Sequence, residues 1–279
     1  MSTLTLHAPA KLNLSLRVLG KRDDGFHEID TTMVKLPGLR DELVFEESGV
    51  FSFHCDEPSL PGDEQNLVVK AVRAYEVAAG IACKFSVTLK KSIPHGAGLG
   101  GGSSDAATTL LGLDQLHGGK LGNTRLAEIA ATLGSDIPFF LTPGAARCTG
   151  RGEVITPLPP LPTMRVLLLK PDFSVPTPDA YGRWSDSREL PGILYSSQES
   201  PAGLLVNDLE RPVFGKHYFL AELKAWLLAR RETCAALLCG SGSTMFAVLH
   251  EDAEAEALAK CARHELDPGL WYWSGLTGA

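Results

Sequence analysis

What the chain lacks narrows its possible roles before any motif is read. Its six cysteines, Cys55, Cys83, Cys148, Cys234, Cys239 and Cys261, form no C-x-x-C pair. Neither a zinc site nor a disulfide framework is legible, and reduced thiols in the cytoplasm are the expectation. No run of Lys or Arg stands out and the formal charge is -7, which argues against nucleic acid or an anionic membrane surface as partner. No apolar stretch is long enough to span a bilayer. The opening segment, Thr3 to Ala8, has no basic region followed by an apolar one, so no signal peptide is expected. Internal repeats and low-complexity tracts are missing too. What remains is 279 residues, 44% hydrophobic and 21% charged, enough for two ordinary cores. A small molecule is the partner this composition favours.

Periodicity supplies a coarse map. Thr3 to Leu19 alternate apolar and polar residues on both sides of Pro9, and Gly20 to Gly25 read as a turn, which predicts two early strands. Further strands are expected at Glu42 to Glu46, Phe51 to Cys55 and Lys84 to Lys90. Helical spacing runs from Gln65 to Ala79 and stops at Gly80; a second helix is expected from near Ser103 through Leu116, and a third over Thr124 to Leu133, with Asn123 or Thr124 as its cap. Pro157, Pro159, Pro160 and Pro162 make Thr156 to Thr163 a stiff connection. That places a boundary between domains 1–155 and 156–279. The second half reads as α+β: strands at Arg165 to Lys170, Ala235 to Cys239 and Thr244 to His250, helices at Leu220 to Arg230 and Ala253 to His264, the latter capped by Asp252. Trp184 to Gly203 has no clear period and reads as a long surface loop.

The densest chemical signal is Pro94-His95-Gly96-Ala97-Gly98-Leu99-Gly100-Gly101-Gly102-Ser103-Ser104-Asp105, joining a strand to a helix. Glycine admits positive φ and close approach of backbone to ligand, and the N–H groups at a helix start attract anions. A polyphosphate suits such a loop better than the bland alternative of a flexible linker, because the glycines abut a Ser-Ser-Asp N-cap. Gly96, Gly98 and Gly101 also satisfy G-x-G-x-x-G. That match lies deep in the chain, Pro94 intrudes, and no acidic residue follows about twenty residues on, so a dinucleotide fold is rejected. No Gly-Lys-Ser/Thr completes a Walker A loop either.

With Pro9-Ala10-Lys11-Leu12-Asn13-Leu14 and Gly240-Ser241-Gly242-Ser243 flanking it in order, the glycine loop resembles that of the GHMP kinases, and the resemblance spans nearly the whole chain. Within that superfamily, GLGGGSSDAA and PAKLNLSLRVLGKRDDGFHEIDT look like the branch acting on cytidine diphosphate-linked methylerythritol, in the non-mevalonate route to isoprenoid precursors. The resemblance implies an α+β, two-domain kinase. Its N-terminal domain would be like ribosomal protein S5 domain 2, with a left-handed βαβ crossover, and its C-terminal domain ferredoxin-like. It further implies ATP with Mg²⁺, no nucleic acid or membrane partner, and a monomer or weak homodimer.

The resemblance also distributes roles. Asp136, in Leu133-Gly134-Ser135-Asp136-Ile137-Pro138, becomes the general base, although local sequence alone reads it as a helix N-cap. Lys11, which an alternating strand would normally point to solvent, is placed beside Asp136. Asn13, Phe26, His27, Thr177 and Tyr181 become acceptor ligands. Phe26 and Tyr181 would sandwich the cytosine while His27 reads its edge; from sequence alone they are as readily core aromatics. Phe26 stands where the family usually has Tyr. Asn66 and Lys91 are assigned to the adenine end, Asn66 with a capping role as its alternative. No acidic cluster marks protein ligands for the metal, which leaves Ser103 or Ser104. Asn207-Asp208 resembles a family pair without an assignable role.

Overall fold

The computed structural model describes residues 3–278. The chain opens on one strand where two were expected: β1 (Thr3–Lys21) runs through Pro9, antiparallel to β2 (His27–Glu47). The register shifts between Pro9 and Ala10, so a bulge absorbs the missing N–H of proline and the strand continues. Strand β2 extends far ahead of Glu42; Pro37 and Gly38 inside it hide the strand from pattern reading.

Next come β3 (Ser52–Cys55), α1 (Leu67–Ala79), β4 (Phe85–Lys90), α2 (Gly101–Leu116), α3 (Gly122–Leu133), the single turn α4 (Ile137–Phe140), β5 (Ala146–Gly150) and β6 (Val154–Pro157). Helix α1 buries the face its spacing predicts, including Val68, Ala71, Val72 and Tyr75, and ends at Gly80 with φ 64°. Helix α3 starts earlier than expected, and its capping position is Leu121, without a side-chain bond. Asp114 substitutes from α2. Its carboxylate accepts the N–H groups of Leu121 at 2.8 Å and Gly122 at 3.2 Å, a tertiary cap that local sequence cannot announce.

Beyond the prolines follow β7 (Arg165–Lys170), α5 (Thr177–Gly182), β8 (Gln198–Ser200), β9 (Gly203–Asn207), α6 (Glu210–Lys216), α7 (Tyr218–Leu228), β10 (Thr233–Leu238), β11 (Met245–Leu249), α8 (Ala255–Glu265) and β12 (Trp271–Leu276). Asp252 does not cap α8, whose N-terminal position is Glu254. The expected surface loop contains β8, and buried Gln198 explains why. Its side-chain amide donates to Ala236 O at 2.8 Å and accepts the Ala236 N–H at 3.0 Å, satisfying the outer edge of β10.

One sheet has the order β3-β4-β2-β1-β9-β8, with β5 on β2 and β6 on β5; the other has the order β10-β11-β7-β12 and is antiparallel throughout. With α8 between β11 and β12 and α5 to α7 between β7 and β10, the second sheet is the ferredoxin-like unit that the resemblance implied. Its two faces serve different cores. Leu167, Leu169, Ala236 and Met245 pack with Leu220, Leu223 and Leu258 from the helices. Val166, Leu168, Leu237 and Phe246 pack with Ala10, Leu12 and Leu14 of β1. Burial on both faces accounts for the unbroken apolar runs of β7, β10 and β11. Among the described residues no helix is long and apolar enough to cross a membrane.

Candidate active site

A cleft of about 780 Å³ runs between the glycine loop, the β1–β2 turn and α5. Alternation along β1 turns Leu12 and Leu14 into the core and leaves Lys11 and Asn13 on the other side, toward the cleft. Lys11 is 3% exposed, so its solvent-facing alternative does not hold. Its Nζ donates to Asn13 Oδ1 at 2.6 Å and to Gly98 O at 2.9 Å, and stands 3.6 Å from Asp136 Oδ2. Asn13 is fixed in turn by donating to Thr31 Oγ1 at 2.8 Å. Asp136 precedes α4 but makes no capping bond, and its side chain keeps 36% exposure. The carboxylate is therefore available to a ligand. The far end of α4 is held by Lys35, the cross-strand neighbour of Lys11, whose ammonium donates to Phe140 O at 3.1 Å and to Thr142 O. Burial lowers its pKa to about 8.

The glycine loop is tight because it is packed, not because it is flexible. At Gly98, φ is +76°, and a Cβ would lie 2.1 Å from Cys239 O and 2.9 Å from Gly242 O. The glycine loop and the Gly240 turn thus touch backbone to backbone, and no side chain fits between them. At Gly100, φ is +73° and a Cβ would meet Phe140 and the Lys11 stem below 3 Å. Helix α2 begins at Gly101 with Gly100 in the capping position and no side-chain cap. Ser103, Ser104 and Asp105 lie inside the helix, not ahead of it, which corrects the N-cap expected of them. The leading N–H groups lack a side-chain acceptor there and are disposed toward an anion.

Most residues singled out in the sequence line this one cleft: Lys11, Asn13, Phe26, His27, Asn66, Lys91, Pro94 to Ser103, Asp136, Thr177 and Tyr181. Ser104 is the exception, fully buried with an unpartnered hydroxyl. Asn66 is largely engaged as the cap of α1, accepting Val68 N–H at 2.9 Å and donating to Pro61 O at 2.8 Å. Lys91 sits between Asp41 at 2.5 Å and Asp105 at 2.7 Å, so its ammonium is already engaged by protein groups. Burial raises the Asp105 pKa and the Asp41 charge adds to this, against the pull of Lys91. The second oxygen of Asp105 is buried without a partner.

At the other end the aromatics pair differently from the expected sandwich. Tyr181 lies against His27, ring centroids 5.3 Å apart and tilted by 32°, with Trp184 edge-on to the same imidazole at 6.2 Å. Phe26 is instead covered by the Arg151 guanidinium, 4.7 Å from its ring centre. Burial and the nearby Lys21 charge lower the His27 pKa. The Thr177 hydroxyl is 2.9 Å from that of Ser241, joining α5 to the Gly240 turn. Asn207 and Asp208 also acquire roles. Asn207 donates to Leu238 O at 2.8 Å and Gly240 O at 2.7 Å, bracing that turn. Asp208 accepts from Arg17 Nη1 and Val18 N, both at 2.9 Å, tying β9 to β1. Neither these bonds nor Arg151 and Lys35 carried a local sequence signal.

Residues 66–144 match the GHMP kinases N terminal domain. Over 268 residues the chain is 38% identical to the 4-diphosphocytidyl-2-C-methyl-D-erythritol kinase of Methylacidiphilum infernorum (isolate V4), covering 95% of this chain and 93% of that one. The chain belongs to that kinase family. A solved 4-(cytidine 5'-diphospho)-2C-methyl-D-erythritol kinase agrees in structure, with a TM-score of 0.79, 34% identity, and coverage of 99% of this chain and 100% of the other. A homoserine kinase from Cytophaga hutchinsonii is alike in fold alone, with a TM-score of 0.69 at 18% identity over 100% of this chain and 95% of its own. Family membership and the two-sheet architecture agree: the fold is that of the GHMP kinases.

Proposed function

We propose that the chain transfers the γ-phosphoryl group of ATP to the 2-hydroxyl of 4-diphosphocytidyl-2-C-methyl-D-erythritol, giving the 2-phosphate and ADP. The step belongs to the non-mevalonate route to isoprenoid precursors and would run in the cytoplasm. One contact carries the reading: Lys11 bonds the glycine loop at Gly98 O while standing 3.6 Å from Asp136. Phosphate cradle, cation and base thus meet at one point. The N–H groups opening α2 would hold the phosphates, Asp136 would take the proton of the acceptor hydroxyl, and Lys11 would stabilise charge on the group in transit. Phe26, His27 and Tyr181 would hold the cytosine, and Thr177 would orient the α5 side of the cleft.

The metal ion would enter as MgATP. Among the described residues no cluster of three or more acidic, His or Cys side chains could hold it. Asp105, which lines the cleft and has an unpartnered oxygen, could serve only by giving up the proton that burial favours. The triphosphate would supply the other ligands, and the ion would neutralise phosphate charge. All these groups come from one chain, so a monomer suffices. ADP release with MgATP and 4-diphosphocytidyl-2-C-methyl-D-erythritol tests the reading, run against homoserine and mevalonate as acceptors. Turnover restricted to the first acceptor supports it, and turnover with another acceptor alone refutes it.

A further inference from the structure

We propose that Arg151 is the side chain that receives the diphosphate of the acceptor, so that specificity at this end rests on the anionic linker as well as on the cytosine. The inference rests on the acceptor proposed above. It starts from where Arg151 stands. The residue lies in the turn between β5 and β6 and lines the cleft together with Phe26, His27 and Asp136. On one side its guanidinium covers the Phe26 ring at 4.7 Å. On the other, its neighbour Gly152 borders the base: a methyl group there would stand 3.6 Å from Asp136 Oδ1. An acceptor with its hydroxyl at Asp136 and its cytosine among Phe26, His27 and Tyr181 must thread its diphosphate between those points, past Arg151.

The guanidinium is also uncommitted. Its five donors make no hydrogen bond among the described residues. The nearest carboxylate, Glu153, is 3.6 Å from Nε, and that side chain accepts the Arg151 backbone N–H at 2.6 Å. Glu153 therefore shapes the turn and aims the side chain without saturating it. Asp24, the other acid in reach of the Arg151 charge, is occupied by the Phe26 N–H and by Arg22. Lys21, paired with His27 in the β1–β2 ladder, lines the same end and adds positive charge. A planar guanidinium with free donors, partly shielded by an aromatic face, is matched to a phosphate oxygen pair.

Titration calorimetry with cytidine diphosphate and with cytidine separates this role from mere support of Phe26. The wild-type protein is expected to bind cytidine diphosphate about tenfold or more tightly than cytidine. Arg151→Met should bind cytidine as the wild type does and lose most of that preference, while Arg151→Lys retains part of it. In turnover, the acceptor KM of Arg151→Met should rise about tenfold with the ATP KM unmoved. An unchanged preference in Arg151→Met overturns the proposal, and so does equal weakening of both ligands, which would make Arg151 only a prop for the ring. A wild-type protein that binds neither ligand overturns the acceptor reading itself, and this inference with it.

Discussion

At the end of the cleft proposed for the phosphates the wall is one stretch, residues 94–103, whereas at the end proposed for the acceptor it is side chains from three distant segments: Phe26 and His27, Arg151, and Thr177 with Tyr181. The first end is tightly packed from behind. Gly98 is pressed against Cys239 O and Gly100 against Phe140, so shape there is set by contacts that tolerate no added atom. The second end is open, with Phe26 51% exposed and its geometry resting on ring contacts of 4.7 to 5.3 Å. A polyphosphate is the same in every reaction that uses it and rewards a rigid backbone mould. An acceptor differs between reactions, and side chains can be exchanged without disturbing the fold.

The proposed base, Asp136, sits where the two ends meet, and its loss should have the largest effect. Asp136→Asn is expected to lower kcat by about 10²- to 10⁴-fold while leaving the melting curve nearly unchanged, because the carboxylate caps nothing. Turnover within threefold of wild type would remove Asp136 from that role. Gly98→Ala probes the rigid end. A methyl 2.1 Å from a carbonyl should cost about 1–3 kcal/mol of stability and weaken ATP binding, read by denaturant titration and ATP KM. A variant of normal stability and ATP affinity would show the loop to be looser than its packing implies.

Asn207→Ala tests whether the rigid end depends on its brace. Two backbone carbonyls lose their donor, at a cost of about 1–3 kcal/mol, and a stability within error of wild type would contradict the bracing role. At the open end, Phe26→Ala should raise the acceptor KM by an amount equivalent to about 0.5–1.5 kcal/mol and spare the ATP KM; equal movement of both would break the division between the ends. The remaining expectation concerns pH. The folded state keeps a proton on Asp105, whose pKa rises from 3.8 to about 8, while the unfolded chain releases it. This group therefore makes stability fall as pH rises between about 4 and 8. Asp105→Asn should flatten that fall, and identical urea midpoints against pH for both proteins would show that Asp105 does not hold the proton.

The rigid end was also the legible one. A contiguous glycine run ahead of a helix can be read as a phosphate-loop candidate because every residue of the motif is local. Helix α1 was readable for the same reason, its face and its Gly80 stop lying within one period. Where pattern reading went astray, a distant partner had overruled the local cue. Pro9 does not end β1 because β2 pairs along its whole length and a bulge absorbs the proline. Gln198 lies in a strand because Ala236 takes its amide, and α3 is capped by Asp114 from another helix. The same physics governs the site. Family resemblance placed Lys11 beside Asp136, but nothing in either segment disclosed that Asn13 and Gly98 would hold the ammonium there.

By itself the sequence determined the α+β character and offered the glycine run as a candidate phosphate loop, both of which follow from local composition, spacing and motif, while the other candidate residues came from the family resemblance. Only the tertiary structure decided how those residues pair: Tyr181 with His27, Phe26 with Arg151, and Asn207 with the Gly240 turn. Such pairings join residues distant in sequence, 33 positions apart for Asn207 and Gly240 and farther for the two aromatic pairs. Their partners are chosen by how two sheets and their connecting turns pack, and not by the chemistry of any one segment.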